Sequence, residues 1–198
     1  MKGSKLKTKD IAIMGILTAI LFAQEEALTF IPNIQLTFLL ITLYTKLLGF
    51  KKTLVIVTIH VCLDNLVMGS FNLITVPPML VGYYFMVITL GLVFKKVESP
   101  LILGLLGILY AFTYDFCFAF SDSIILKTSF VAWYAMGIVF DIVLAACNFL
   151  TIYWLYKPLK KVMNMFIKND EVIITEENAE PALEENTNNL QEDEKSTI

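Results

Sequence analysis

The sequence predicts an all-α integral membrane protein: six transmembrane helices, both ends in the cytoplasm, and a disordered acidic C-terminal tail. Three observations predict it. Of 198 residues, 57% are hydrophobic and only 17% charged, with a mean hydropathy of +0.72. That is too apolar for a soluble core that must also present a polar surface. The apolar residues gather into six runs, and lysine clusters mark every second connection between them.

A spanning helix needs roughly 20 mostly apolar residues, because an unpaired backbone amide in hydrocarbon costs several kcal/mol and a helix pairs its own. The runs are 11–30, 36–50, 53–68, 77–94, 100–120 and 130–156. The second and third are short, so each is expected to borrow residues from its outer loop. The first run resembles a signal peptide only superficially. It is long and lacks a small-residue cleavage site, so it reads as an uncleaved span. Lys2, Lys5, Lys7 and Lys9 precede span one, Lys51 and Lys52 join spans two and three, Lys95 and Lys96 join four and five, and Lys157, Lys160 and Lys161 follow six. The alternate connections hold only Lys127. The positive-inside rule then puts both termini in the cytoplasm, with Lys46 snorkelling to the same side. The chain divides into a basic N-terminus (1–10), a six-helix membrane domain (11–161) and an acidic tail (162–198).

Charge is divided as sharply as hydropathy. Residues 1–168 carry 14 Lys against 8 acids, and residues 169–198 carry 1 Lys against 10 acids. The tail is too polar to offset its ordering entropy by burial, and it reads as disordered, with a docking peptide as the other reading. No residue is Arg, so the bidentate fork favoured for carboxylate or phosphate is missing and a strongly anionic ligand is disfavoured. No nucleic-acid partner is expected. Cys62, Cys117 and Cys147 fit neither a zinc site nor a disulfide framework and read as small apolar packers. No metal or other cofactor is expected.

Five carboxylates lie inside the spans: Glu25, Glu26, Asp64, Asp115 and Asp141. An ionised carboxylate at the bilayer centre costs about 2.5 to 3.5 kcal/mol on insertion scales, so such residues face a cavity or a partner. The orientation puts most of them in the outer half. On span six Tyr134, Asp141 and Asn148 recur every seven residues with Gly137 and Ala145 between, the pattern of a cavity wall. On span five Gly107, Ala111 and Tyr114 share a side, with Asp115 at its edge. His60 and Asp64 are an i, i+4 pair, and His60 reads first as a core histidine bonded to Asp64 or to a carbonyl. Trp133 suits either an interfacial belt or stacking on a ligand. Span one carries a strip of small residues, Ala12, Gly15, Ala19, Ala23 and Ala27, which lets another helix approach closely. Packing within this chain and docking of another chain are both open.

The run Thr18-Ala-Ile-Leu-Phe-Ala23, with its AxxxA step, resembles the first-helix signature of the substrate-binding S components of energy-coupling-factor (ECF) transporters. The layout is similar too. Leu28-Thr-Phe-Ile-Pro-Asn-Ile-Gln-Leu36 and Asp64-Asn-Leu-Val-Met-Gly-Ser-Phe-Asn72 look like the ligand-covering first and third outer loops of that family, and the resemblance spans residues 8–160. It implies a prokaryotic cell-membrane protein that captures a vitamin-like molecule at the outer face. Its partners would be a transmembrane coupling subunit and two ATP-binding-cassette ATPases, with Ala19 and Ala23 as docking positions and Ala12 and Gly15 on the same strip. The long acidic tail departs from the family pattern.

No GxxxxGK[ST] loop or other nucleotide motif is present, in keeping with ATP hydrolysis on another subunit, and the chain is not expected to be an enzyme. Tyr114-Asp115 mimics half of an intramembrane aspartyl protease signature, but Gly-x-Gly-Asp is absent and Asp141 sits in Val-Phe-Asp-Ile. A stand-alone or proton-coupled permease is the alternative, although no internal repeat is visible. Binding is assigned to Glu25, Asn33, Asp64, Asn72, Tyr114, Asp115, Trp133, Tyr134 and Asp141. Their acceptor-rich chemistry suits a neutral or cationic nitrogen heterocycle.

Overall fold

The structure is a computed structural model, and the residues it describes are 8–31 and 33–166. The expected disorder of the acidic tail, and the basic residues before Thr8, fall outside them. Contacts divide the chain into Met1–Lys157 and Pro158–Ile198. In the second unit Val162, Met165 and Phe166 are exposed.

Each of the six apolar runs forms a helix: α1 (Thr8–Leu28), α2 (Thr37–Leu48), α3 (Phe50–Val67), α4 (Val76–Ile88), α5 (Pro100–Ile125) and α6 (Phe130–Ser196). Among the described residues there is no strand. Four helical stretches are long and apolar enough to cross a membrane: α1, α4 with its extension to Val93, α5, and α6 as far as Phe166. The other two differ for identifiable reasons. Helix α2 has only 12 residues, and the 18 residues of α3 include Lys51, Lys52 and Asp64.

The boundaries correct the sequence reading in three places. Helix α2 does not borrow from its preceding loop, because the Leu36 N–H donates to the Gln24 side chain at 2.9 Å instead of joining a helix. Helix α3 grows at its lysine end, so Lys51 and Lys52 lie in its first turn rather than in a loop. Its other end stops at Gly69, whose φ of 65° suits glycine, with Ser70 N–H donating to Asn65 O at 2.9 Å in a Schellman closure. Helix α5 continues to Ile125 and so carries Asp122. Gly49 alone separates α2 from α3, at φ 83° and ψ 159°, a region open essentially to glycine.

Proline opens α4 and α5 in their first turns, where its missing N–H breaks no helical bond. At its far end α4 widens into a π-helical turn, Thr89–Val93. The Thr89 and Tyr110 hydroxyls meet there at 2.8 Å, tying the turn to α5. Helix α3 is central, packing on α1, α2 and α4, and α4 packs on α5.

The distribution of polarity is inverted relative to a water-soluble bundle. His60, Asn148 and Thr37 are fully buried, while Leu105, Val139 and Trp154 are 54%, 65% and 66% exposed. So broad an apolar surface is unfavourable in water and matched by lipid.

Candidate functional site

Short connections make consecutive helices antiparallel. The ends of α1, α3 and α5 therefore gather with the starts of α2, α4 and α6. At this end the loop between α1 and α2 is fastened to α1 by Gln24. Its amide donates to Leu21 O at 3.0 Å and to Thr37 Oγ1 at 2.7 Å, while its carbonyl accepts from Leu36 N–H. The Thr37 hydroxyl in turn donates to Glu25 Oε2 at 2.9 Å. Asn33 adopts φ 60°, a left-handed conformation for which asparagine is enriched. Cys147 of α6 lies 3.6 Å from Gln35 O, so the loop reaches across from α1 to α6.

Two cavities flank this loop, and Asn33 lines both. The smaller, about 180 Å³, is bounded by Glu25, Thr29, Asn33, Gln35, Asp64 and Met68. The larger, about 430 Å³, is bounded by Asn33, Tyr114, Asp115, Asp122, Trp133 and Asp141, with Phe118 and Phe140 among its apolar walls. No lysine lines either one. The combined lining is acidic, amide-bearing and aromatic.

A buried polar band links the two. His60 Nε2 lies 2.9 Å from Glu25 Oε2, so the partner of His60 is a carboxylate on α1 rather than Asp64 one turn away. The sequence spacing suggested Asp64 or a carbonyl; helix packing supplied a nearer acid. Next to His60 stands Tyr83 of α4, ring centroids 6.3 Å apart, and Tyr83 lies 4.9 Å from the Tyr114 ring. Beyond Tyr114 come Asp115 and Asp141, which line the same cavity. An added Cβ on Gly137 would lie 3.0 Å from Asp115 Oδ2, so the absent side chain makes room for that carboxylate.

Several atoms of this band have no hydrogen-bond partner among the described residues: Asp64 Oδ1, Tyr83 Oη, Asp115 Oδ2 and Asp141 Oδ2. The His60 nitrogens also lack a well-directed hydrogen bond among the described residues, although Glu25 Oε2 lies 2.9 Å from Nε2. Buried polar atoms are ordinarily satisfied, since leaving one unmade costs about 1 to 3 kcal/mol. Their concentration here marks a surface suited to a polar ligand.

The structure thus brings together Glu25, Asn33 and Asp64 in one cavity, and Asn33, Tyr114, Asp115, Trp133 and Asp141 in the other. Asn72 and Tyr134 line neither cavity. Asn72 caps the turn before α4, its Oδ1 accepting from Ile74 and Thr75 N–H at 2.8 and 3.0 Å. Tyr134 stacks on Phe130 and meets Phe116 edge-on. The heptad-spaced face of α6 changes role along its length. Asp141 borders the cavity, but Asn148 packs against α5, donating to Gly107 O at 3.4 Å. Gln24, Gln35, Tyr83 and Asp122 were not anticipated. Asp122 was legible only with the correct end of α5, and Tyr83 gave no signal within an aromatic-rich run.

The small residues of α1 lie on its outer side. Ala12, Gly15, Ala19, Ala23 and Ala27 are all exposed, whereas Met14, Leu17, Thr18 and Leu21 of the opposite face are buried. A Cβ placed on Gly15 would meet nothing within 4 Å. Packing of this strip within the chain is therefore ruled out among the described residues.

Comparison with known proteins adds no relationship: no family model, no curated protein and no solved structure matches this chain.

Proposed function

We propose that this protein is the substrate-specificity subunit of an ECF-type importer, a six-span membrane protein with both ends in the cytoplasm that captures a vitamin-like small molecule at its outer face. The observation that carries the proposal is the pair of cavities sharing Asn33, with unpartnered buried oxygens on their walls. A ring with N–H donors or a positive charge would pair with Asp64, Asp115 and Asp141, while Tyr114 and Trp133 offer faces for stacking. The exposed strip on α1 supports a second role. A helix of another subunit can approach closely along Ala12, Gly15, Ala19 and Ala23, which fits delivery through a coupling subunit driven by two ATPases.

Binding and uptake separate these roles. The chain should copurify with a small molecule identifiable by mass spectrometry. Ala19→Trp and Ala23→Trp should abolish uptake in cells that supply the coupling module while leaving binding by the purified protein intact. Normal uptake by both variants would overturn the docking assignment. Reporter fusions after Lys52, Lys96 and Lys161 should read cytoplasmic, and fusions at Asn33, Asn72 and Ser123 external; one reversed fusion sinks the six-span topology.

The pairing of buried His60 with half-buried Glu25 favours one other reading, a proton-coupled permease. That reading expects the chain alone to drive uptake into proteoliposomes under a proton gradient.

A further inference from the structure

A further cleft lies at the opposite end of the bundle, away from the acidic cavities. It measures about 710 Å³, within the range of ordinary ligand sites. Its walls come from α1, the turn at Gly49, the start of α3 and the π-helical end of α4. Four lysines line it, Lys46, Lys51, Lys52 and Lys95, together with Met14, Phe50, Val55, Leu90 and Leu92.

The four lysines are not equivalent. Lys46 Nζ donates to Phe94 O at 2.5 Å and Lys95 O at 3.3 Å, stapling α2 to the end of α4. Lys52 is paired with Asp10 at 2.6 Å. Lys51 and Lys95 are exposed, and neither has a carboxylate partner among the described residues. The cleft therefore retains positive charge after its structural contacts are counted. Its apolar walls reach the outer surface of the bundle: Val55 is 41% exposed and Leu92 58%.

We propose that this cleft holds a membrane phospholipid with an anionic headgroup, its phosphate against Lys51 and Lys95 and its acyl chains along Val55 and Leu92. The inference rests on the membrane reading of the chain and is independent of any transport role. Two properties select a lipid over a soluble anion. The charge sits where α2 and α4 end and α3 begins, the depth of the headgroups if those helices span the bilayer. The apolar walls beside it are exposed at Val55 and Leu92 on helices that the membrane reading surrounds with hydrocarbon, which a lipid chain covers better than a soluble anion. Basic pockets between membrane helices bind anionic headgroups through this combination.

The test uses the full chain in nanodiscs containing phosphatidylglycerol and phosphatidylcholine, followed by detergent extraction and quantification of retained lipid by mass spectrometry. The wild type should retain phosphatidylglycerol in preference to phosphatidylcholine. Lys51→Gln with Lys95→Gln should lower that preference about 25-fold, or fivefold per lysine. Lys51→Arg with Lys95→Arg should keep it, as should Lys127→Gln with Lys157→Gln. Circular dichroism establishes that each variant is folded, and if the double Gln variant fails to fold, Lys95→Gln alone should show the fivefold loss. Equal retention of the two lipids by the wild type, an unchanged preference in the Gln variant, or displacement of the lipid by inorganic phosphate at equal concentration would overturn the proposal.

Discussion

The two ends of the bundle carry opposite charge and use it differently. At the lysine end, Lys46 caps the Phe94 and Lys95 carbonyls and Lys52 pairs with Asp10, so charge there closes helix termini and joins neighbouring elements. At the acidic end, Asp64, Asp115 and Asp141 each present a buried oxygen that no group among the described residues satisfies. A satisfied charge belongs to the architecture, while a buried unsatisfied one raises the free energy of the isolated protein and lowers that of a complex. Removing charge from the two ends should therefore have opposite consequences.

The largest effect is expected at the acidic end. Asp115→Asn with Asp141→Asn should weaken the best-binding compound of a vitamin and nucleobase panel by about 10- to 100-fold, since a hydrogen bond to a charged group contributes about 1.5 to 3 kcal/mol. The melting temperature of the ligand-free variant should stay level or rise, because two carboxyls no longer crowd one another. Equilibrium titration and thermal scanning read the two quantities. Unchanged affinity, or preference for a dianionic compound, would break the comparison by removing the ligand role from this pair.

The reverse pattern is expected from Lys46→Met, which keeps much of the apolar stem but loses both carbonyl contacts. Stability should fall by about 1 to 3 kcal/mol, with ligand affinity unchanged. A fall in affinity without a fall in melting temperature would mean that this lysine serves the ligand rather than the end of α4. The smallest effect should come from Gly137→Ala. Its new Cβ would lie 3.0 Å from Asp115 Oδ2 and 3.3 Å from Oδ1. The carboxylate must shift by a few tenths of an ångström, which should cost about fivefold in affinity, or ~1 kcal/mol. No change at all would place the ligand away from Asp115.

The sequence by itself determined that the chain is helical and apolar, where its six helices lie, and which residues of the acidic end are unusual. Hydropathy and charge are local quantities, and a carboxylate such as Asp141 is conspicuous in an apolar run whatever surrounds it. Helix ends were less legible, because Gln24 holds Leu36 out of α2 and Gly69 ends α3 through contacts that composition does not encode. Only the tertiary structure decided how these residues combine. It gave His60 to Glu25 across two helices, placed Tyr83 between the two cavities, left Tyr134 and Asn72 out of both linings, and turned the small strip of α1 outward. Helical spacing identifies neighbours along one face, whereas partners on other helices depend on rotation and packing, and those follow from how the whole set of surfaces fits together.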